Sequence, residues 1–267
     1  MGADTKALRT RIKSVDSTQH LTKAMGLVAS SKIRRASEAM QRSRQYENAV
    51  RETIDIITAC NECRKSPFMK EDSDGKVKII VIAGDRGLAG GYNANVFRLA
   101  REYPDVEIIP IGKRSCERFG GEFHSSEYYS GEDANKLARQ LCKQFSEGEF
   151  SKLGIIYTEF VSMMTQTAKI KWVLPLEGSG KERAAGMIFE PDEVQILNAA
   201  VPTYVTGVLM GAVRESFASE VAARRMAMDS AGKNAQQMID DLQLEYNRAR
   251  QGAITQEITE IVAGSGT

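Results

Sequence analysis

SVDSTQHLTKAMGLVASSKIRRASEAMQRSRQYENAVRETIDII, residues 14–57, contains no proline and a single glycine, Gly26. Val15, Thr18, Thr22, Met25, Ala29, Lys32, Ala36, Ala39, Ser43, Tyr46, Val50, Thr53 and Ile57 recur at alternating steps of three and four. That spacing is the heptad seam of a coiled coil. A tight dimeric zipper would fill the seam with Leu and Ile; here Ala, Ser and Thr predominate. Small residues let two helices approach closely but bury little apolar area, so the pairing is weak without something around it.

Working outward, all six prolines lie between positions 67 and 202, which leaves both ends free of helix breakers. The C-terminal stretch carries a matching line through Val221, Met228, Ala231, Ala235, Met238, Leu242, Ala249 and Gly252. A helix of about 55 residues is roughly 80 Å long, more than a compact domain of this mass needs. The reading is therefore an antiparallel coiled coil of N- and C-terminal helices that protrudes from a folded middle. A parallel dimer of two chains would satisfy the same seam. The expected boundaries are 1–60 and 192–267 for the helices and 61–191 for the middle.

The middle alternates strands and helices. KVKIIVIA (76–83), VEIIPI (106–111), KLGIIYTEF (152–160) and AKIKWVLPL (168–176) read as strands, with helices at 95–103 and over the amphipathic EDANKLARQLCKQF (132–145). Such alternation predicts a parallel, Rossmann-like α/β domain. The fold class is thus α/β, with a long coiled coil attached.

Chemistry is hard to find in these residues. GDRGLAGGYNAN (84–95) places four glycines after the first strand, as a pyrophosphate-binding turn would. Its spacing is GxxGxxGG, not GxGxxG, and no GK[ST] follows; a tight turn explains the glycines equally. GSGKE (178–182) has no strand leading into it. His20 and His124 have no ligand-type residue at metal spacing, and Cys60, Cys63, Cys116 and Cys142 lack a second CxxC pair. With no secretion signal, these cysteines read as free thiols.

The 42% apolar composition is that of a globular protein, and the net charge of +1 argues against wholesale binding to nucleic acid. No uninterrupted apolar run reaches the roughly 18 residues of a membrane span. Charge is nevertheless uneven. Ten basic residues face three acidic ones between Asp4 and Arg44, whereas 214–250 holds six of each. The first helix therefore suits an acidic partner surface. A coiled-coil nucleic-acid binder is the rival, although Tyr46 is the helix's one aromatic residue. An α/β enzyme with helical arms is the other.

Three segments carry a resemblance beyond spacing. IKSVDSTQHLTKAMGLVASSKIRRASE (12–38), GDRGLAGGYN (84–93) and YNRARQGAITQEITEIVAG (246–264) resemble the F-type ATP synthase gamma subunits, in the family's order. The resemblance covers essentially the whole chain. It implies a central rotor shaft that couples ion translocation through a membrane ring to ATP synthesis or hydrolysis on the beta subunits. It implies no catalytic residue, cofactor or metal here, no nucleic-acid partner and no direct membrane insertion. The implied partners are three alpha and three beta subunits, the epsilon and delta subunits and the rotor ring of c subunits. The implied location is peripheral, on the cytoplasmic face of a bacterial cell membrane.

By the same resemblance, Lys23 and Met25 match positions near an acidic loop of the beta subunits, and Arg250 and Gln251 match a polar pair that engages a beta-subunit catch loop. Thr255 and Gln256 lie one turn further. Ile254, Ile258, Ile261 and Val262 match the apolar tip that turns inside the sleeve of alpha and beta subunits. Gly26 stands where relatives carry a larger or charged residue. The regulatory cysteine insertion of plant-type chains has no counterpart, and the CNEC pair sits elsewhere, at the end of the first helix.

Overall fold

The structure, a computed structural model, describes residues 2–70, 75–178 and 189–264. Its elements in chain order are α1 (Gly2–Thr58), β1 (Val77–Ile82), α2 (Tyr92–Ala100), β2 (Val106–Ile111), α3 (Lys113–Phe119), α4 (Gly131–Ser146), β3 (Lys152–Phe160), β4 (Gln166–Leu174) and α5 (Glu193–Gly264). Short 3-10 turns follow α1 at Asn61–Lys65 and Pro67–Met69. The chain divides into two compact units, Ser30–Ala223 and Met1–Ala29 with Arg224–Thr267.

In the larger unit the strand order is β2-β1-β3-β4. β1 runs parallel to both β2 and β3, as the alternating pattern predicts. The expectation of an all-parallel sheet fails at β4, which pairs antiparallel to β3. Only residues 161–165 separate those two strands, too few for a crossover, so a hairpin is the available connection.

Alternation along β1 divides the core. Ile80 and Ile82 face Ile54 and Ile57 of α1, Leu141 of α4 and Leu197, Val205 and Leu209 of α5. Ile79 and Val81 face Val96 and Ala100 of α2. Helices thus cover both faces, and each buried isoleucine contributes about 1.5–3 kcal/mol. The amphipathic helix of the sequence reading starts at a capping box: the Ser130 hydroxyl accepts from the Asp133 N–H at 3.1 Å, and the Asp133 carboxylate accepts from the Ser130 N–H at 3.3 Å.

The opening of α5 is apolar enough to be mistaken for a membrane span. An 18-residue window of this helix reaches a mean hydropathy of 1.5, enough to pass for a span by length and composition. Its apolar side chains are instead consumed by the core, where Leu197, Val201, Val205, Val208, Leu209 and Val213 are fully buried. Pro202 lies inside the helix.

Polar pairs also hold α1 and α5 to the sheet. Arg44 bonds the Glu215 carboxylate at 2.5 Å, and the same carboxylate accepts from the Phe160 N–H at 3.0 Å. Buried Glu47 accepts from Lys171 at 2.8 Å and from Arg51 at 3.3 Å.

The smaller unit is a helix pair. Gln19 bonds Gln236 at 2.7 Å; a β-carbon on Gly232 would lie 3.6 Å from the Thr22 hydroxyl, and one on Gly26 would lie 3.6 Å from Met228 Cβ. As α1 numbers rise, α5 numbers fall, so the pair is antiparallel. The seam itself departs from the heptad list. Gln19 takes the inward place expected for Thr18, and Ile239 that expected for Met238. In the larger unit Glu47 and Ile54 replace Tyr46 and Thr53. A strict 3.5-residue seam requires sustained supercoiling; a helix near its natural 3.6-residue period drifts off it by about 20° per heptad.

Gly26 illustrates how little the seam demands. A methyl group there meets Met228 at ordinary contact distance, while glycine inside a helix costs about 1 kcal/mol relative to alanine. Gly26→Ala is expected to stabilise the protein by about 0.5–1 kcal/mol, read as an upward shift of the urea midpoint at constant slope.

Candidate partner-contact surface

The residues singled out for partner contact all fall in the helix-pair unit, but they form two belts. Lys23 is exposed and Met25 half-buried beside the Gly26–Met228 crossing. Arg250, Gln251, Thr255 and Gln256 are exposed near the end of α5. At the observed register, Arg250 lies opposite the first turns of α1, while Lys23 lies opposite residue 231. The belts are therefore about 28 Å apart along the pair, at 1.5 Å per residue. Gln256 donates to Glu260 at 2.9 Å and the Thr255 hydroxyl to the Gln251 carbonyl at 2.9 Å, so these side chains are braced along their own helix.

The same register runs α5 past the start of α1. Ile254, Ile258, Ile261 and Val262 are 47–66% exposed. Aliphatic side chains exposed together in this way make an apolar patch of the kind that marks an interaction surface. Leu21, Leu27 and Val28 are also more than half exposed. The seam reading passed over these three because they lie off the a and d positions; apolar residues off the seam were the available signal.

The glycine-rich turn has a different geometry from a phosphate cradle. Gly84 donates to Asn93 Oδ1 at 3.0 Å, and a β-carbon on Gly84 would stand 2.7 Å from the carboxyl carbon of Glu220. A carboxylate against the turn would repel a phosphate. Positive φ is needed at Gly90 (58°) and is also adopted by Leu88 (61°). A strand does precede GSGKE, against the sequence reading, since β4 ends at Leu174; residues 179–182 of the motif lie outside the described residues.

Asp85 in that turn is a latch that the motif search missed. Its carboxylate accepts from the Lys113 N–H at 3.0 Å, the Ser126 N–H at 3.1 Å, the Glu127 N–H at 3.1 Å and the Ser125 hydroxyl at 2.5 Å. Burial opposes its ionisation, but the Ser125 hydroxyl and the three N–H groups outweigh burial and hold the carboxyl below its ordinary value. A carboxyl lowered in the folded state adds stability above its unfolded value, about 3.9, and that stability is lost as pH falls through the folded value. Asp85→Asn is expected to cost about 2 kcal/mol at pH 7 and to flatten the stability profile below about pH 4. Urea midpoints measured across pH 2–7 for both proteins check this.

The remaining candidates have ordinary surroundings. All four cysteines are free thiols. Cys63 is fully buried, which with neighbouring Cys60 pushes its thiol up to about 11. His20 is exposed with Asp16 one turn back at 3.8 Å, a ligand-type neighbour that the sequence reading overlooked, and His124 packs edge-on against Tyr129.

Comparison with known proteins agrees with this architecture. The family described as ATP synthase matches residues 4–267. The ATP synthase gamma chain of Alkaliphilus metalliredigens is 41% identical over 99% of both chains, and that of Ruminococcus albus 40% identical over 98% of both. Among solved structures, a chain of the Euglena gracilis mitochondrial ATP synthase assembly of OSCP, F1 and c-ring superposes with a TM-score of 0.69 at 19% identity, covering 98% of this chain and 94% of that one. A chain of the Tetrahymena thermophila central stalk and c-ring superposes at 0.61 and 20% identity, covering 79% and 99%. On the full-length match and the shared fold, the chain belongs to the ATP synthase gamma-chain family, whose members are the non-catalytic rotor shaft of that complex.

Proposed function

We propose that the helix pair turns inside a sleeve of three alpha and three beta subunits, while the α/β unit meets the epsilon subunit and the c-ring at the membrane face, with delta elsewhere in the assembly. The observation that carries this reading is the apolar end of α5, where Ile254, Ile258, Ile261 and Val262 are about half exposed or more. The membrane would be the bacterial cell membrane, met from its cytoplasmic side. Relatives named ATP synthase gamma chain and neighbours drawn from F1 and c-ring assemblies support a place in a membrane-associated complex.

In this reading Lys23 and Met25 form one belt against the beta subunits, and Arg250, Gln251, Thr255 and Gln256 form the other. The helix pair has no symmetry: a basic α1 lies beside a charge-balanced α5, and the belts sit at different heights. Each orientation therefore offers different contacts to the three beta subunits and biases each toward a different conformation. A partner can shift an equilibrium only through such differential binding. Ile254, Ile258, Ile261 and Val262 act as a bearing, because apolar contact is non-directional and few hydrogen bonds have to break at each step.

Co-expression with the alpha and beta subunits of the same organism tests the assembly. A stable complex containing one copy of this chain, with ATP hydrolysis confined to the complex, is the expected result. A chain that purifies only as a free homodimer would contradict the proposal.

A further inference from the structure

Within the larger unit, α1 and α5 leave between them an open groove of about 470 Å³, lined by Arg42, Ser43, Tyr46, Gly207, Met210 and Arg214. Gly207 lets the Tyr46 ring lie against the helix: a β-carbon there would stand 3.1 Å from the ring edge. Arg214 is half-buried, and among the described residues its guanidinium makes one hydrogen bond, from Nη2 to the Tyr129 carbonyl at 3.2 Å. A guanidinium carries five donors, so most of its capacity is unspent. Burial alone lowers its tendency to hold charge, with no carboxylate to oppose the effect.

The neighbouring carboxylates are committed elsewhere. Glu215 is bonded to Arg44, Glu47 to Arg51 and Lys171, and Glu38 lies beside Arg34 at 3.7 Å. Arg42, exposed at the groove's rim, forms no ion pair with a described residue. The fold matches the cations on either side and leaves two arginines facing one groove, next to a hydroxyl and an aromatic ring.

We propose that this groove docks an extended acidic peptide segment of a partner protein, whose carboxylates pair with Arg42 and Arg214 while an apolar side chain lies on Tyr46 and Met210. Planar guanidinium groups recognise carboxylates in pairs of parallel bonds, and desolvated arginine is the residue best suited to it. The groove belongs to the larger unit and both belts to the helix pair, and the inference does not depend on the rotor reading.

Fluorescence anisotropy on the intact chain tests it, using a labelled octapeptide rich in Asp and Glu and its Asn/Gln counterpart. The acidic peptide is expected to bind, and its affinity to fall at least tenfold in the Arg42→Gln, Arg214→Gln double variant and more steeply with salt than the neutral peptide's. Arg42→Glu, on an exposed side chain that the fold does not use, is expected to weaken binding by a similar factor at unchanged thermal stability. Arg9→Gln with Arg11→Gln, distant on the same helix, is expected to leave binding unchanged. The proposal is overturned by any of four results. These are absence of acidic-peptide binding, equal binding of the neutral peptide, indifference to Arg42→Glu, or an equal loss in the Arg9 and Arg11 variant. Arginine-dependent binding of inorganic phosphate or of phosphatidylglycerol vesicles, with none of the peptide, would overturn it as well.

Discussion

Gly112→Ala is expected to be strongly destabilising and to lower the soluble yield sharply. Gly112 joins β2 to α3 at φ 93° and ψ 145°, a conformation that side chains rarely adopt. The larger obstacle is space: a β-carbon there would lie 1.9 Å from the Ala83 carbonyl oxygen, which is backbone and cannot swing away. The junction is also pinned on every side. The Gly112 N–H donates to the His124 carbonyl at 2.7 Å, the Ala83 N–H to Ile111 at 2.9 Å, and the Arg114 N–H to Gly84 at 3.1 Å. Relief of the clash would pull β2 from β1, so the cost is at least about 3–5 kcal/mol, against about 5–15 kcal/mol for a whole domain. Gly131→Ala is the control, because nothing lies within 4 Å of its added carbon; it should change stability by less than about 0.5 kcal/mol. Soluble yield and urea midpoints of the two variants make the comparison.

The second large effect concerns turnover, not folding. Arg250 and Gln251 are exposed, and the Thr255 hydroxyl donates to the main-chain oxygen of Gln251. Replacing both by alanine should leave the isolated chain as stable as before. If the pair engages the beta subunits as proposed, each charge-assisted bond lost from the assembled complex costs about 1.5–3 kcal/mol. ATP hydrolysis by the reconstituted complex is then expected to fall about tenfold or more. Unchanged hydrolysis in a correctly assembled complex would remove these two residues from the proposed belt.

The sequence made the two long helices and the α/β middle legible because each rests on a local signal. Proline-free ends and a repeating pattern of small residues mark α1 and α5, and continuous runs such as KIIVIA mark strands buried on both faces. Two kinds of feature stayed hidden. The inward positions of the helix pair drifted from Thr18 to Gln19 and from Met238 to Ile239, because seam register depends on how far two helices supercoil, a tertiary property. The direction of β4 depended on the short connection at 161–165 more than on its own residues.

The candidate site was legible in part. The two proposed belts and the apolar tip came from matching segments at the chain's ends, and the structure places those residues in one unit, exposed except for half-buried Met25. The Asp85 latch and the groove at Arg42 and Arg214 were not readable, since each joins residues 28 to 172 positions apart whose proximity only the fold creates. Gly84 was read as a turn glycine; its closest constraint is the carboxylate of Glu220 on α5.

The most direct test of the shaft reading is rotation itself. The complex of this chain with its alpha and beta subunits would be held to a surface by the beta subunits, with a bead attached to the α/β unit through a cysteine introduced at exposed Met164. Unidirectional rotation on addition of ATP, in three steps per turn and slowed by the Arg250→Ala, Gln251→Ala variant, is the predicted result. A bead that stays fixed while the same complexes hydrolyse ATP at full rate would contradict the account.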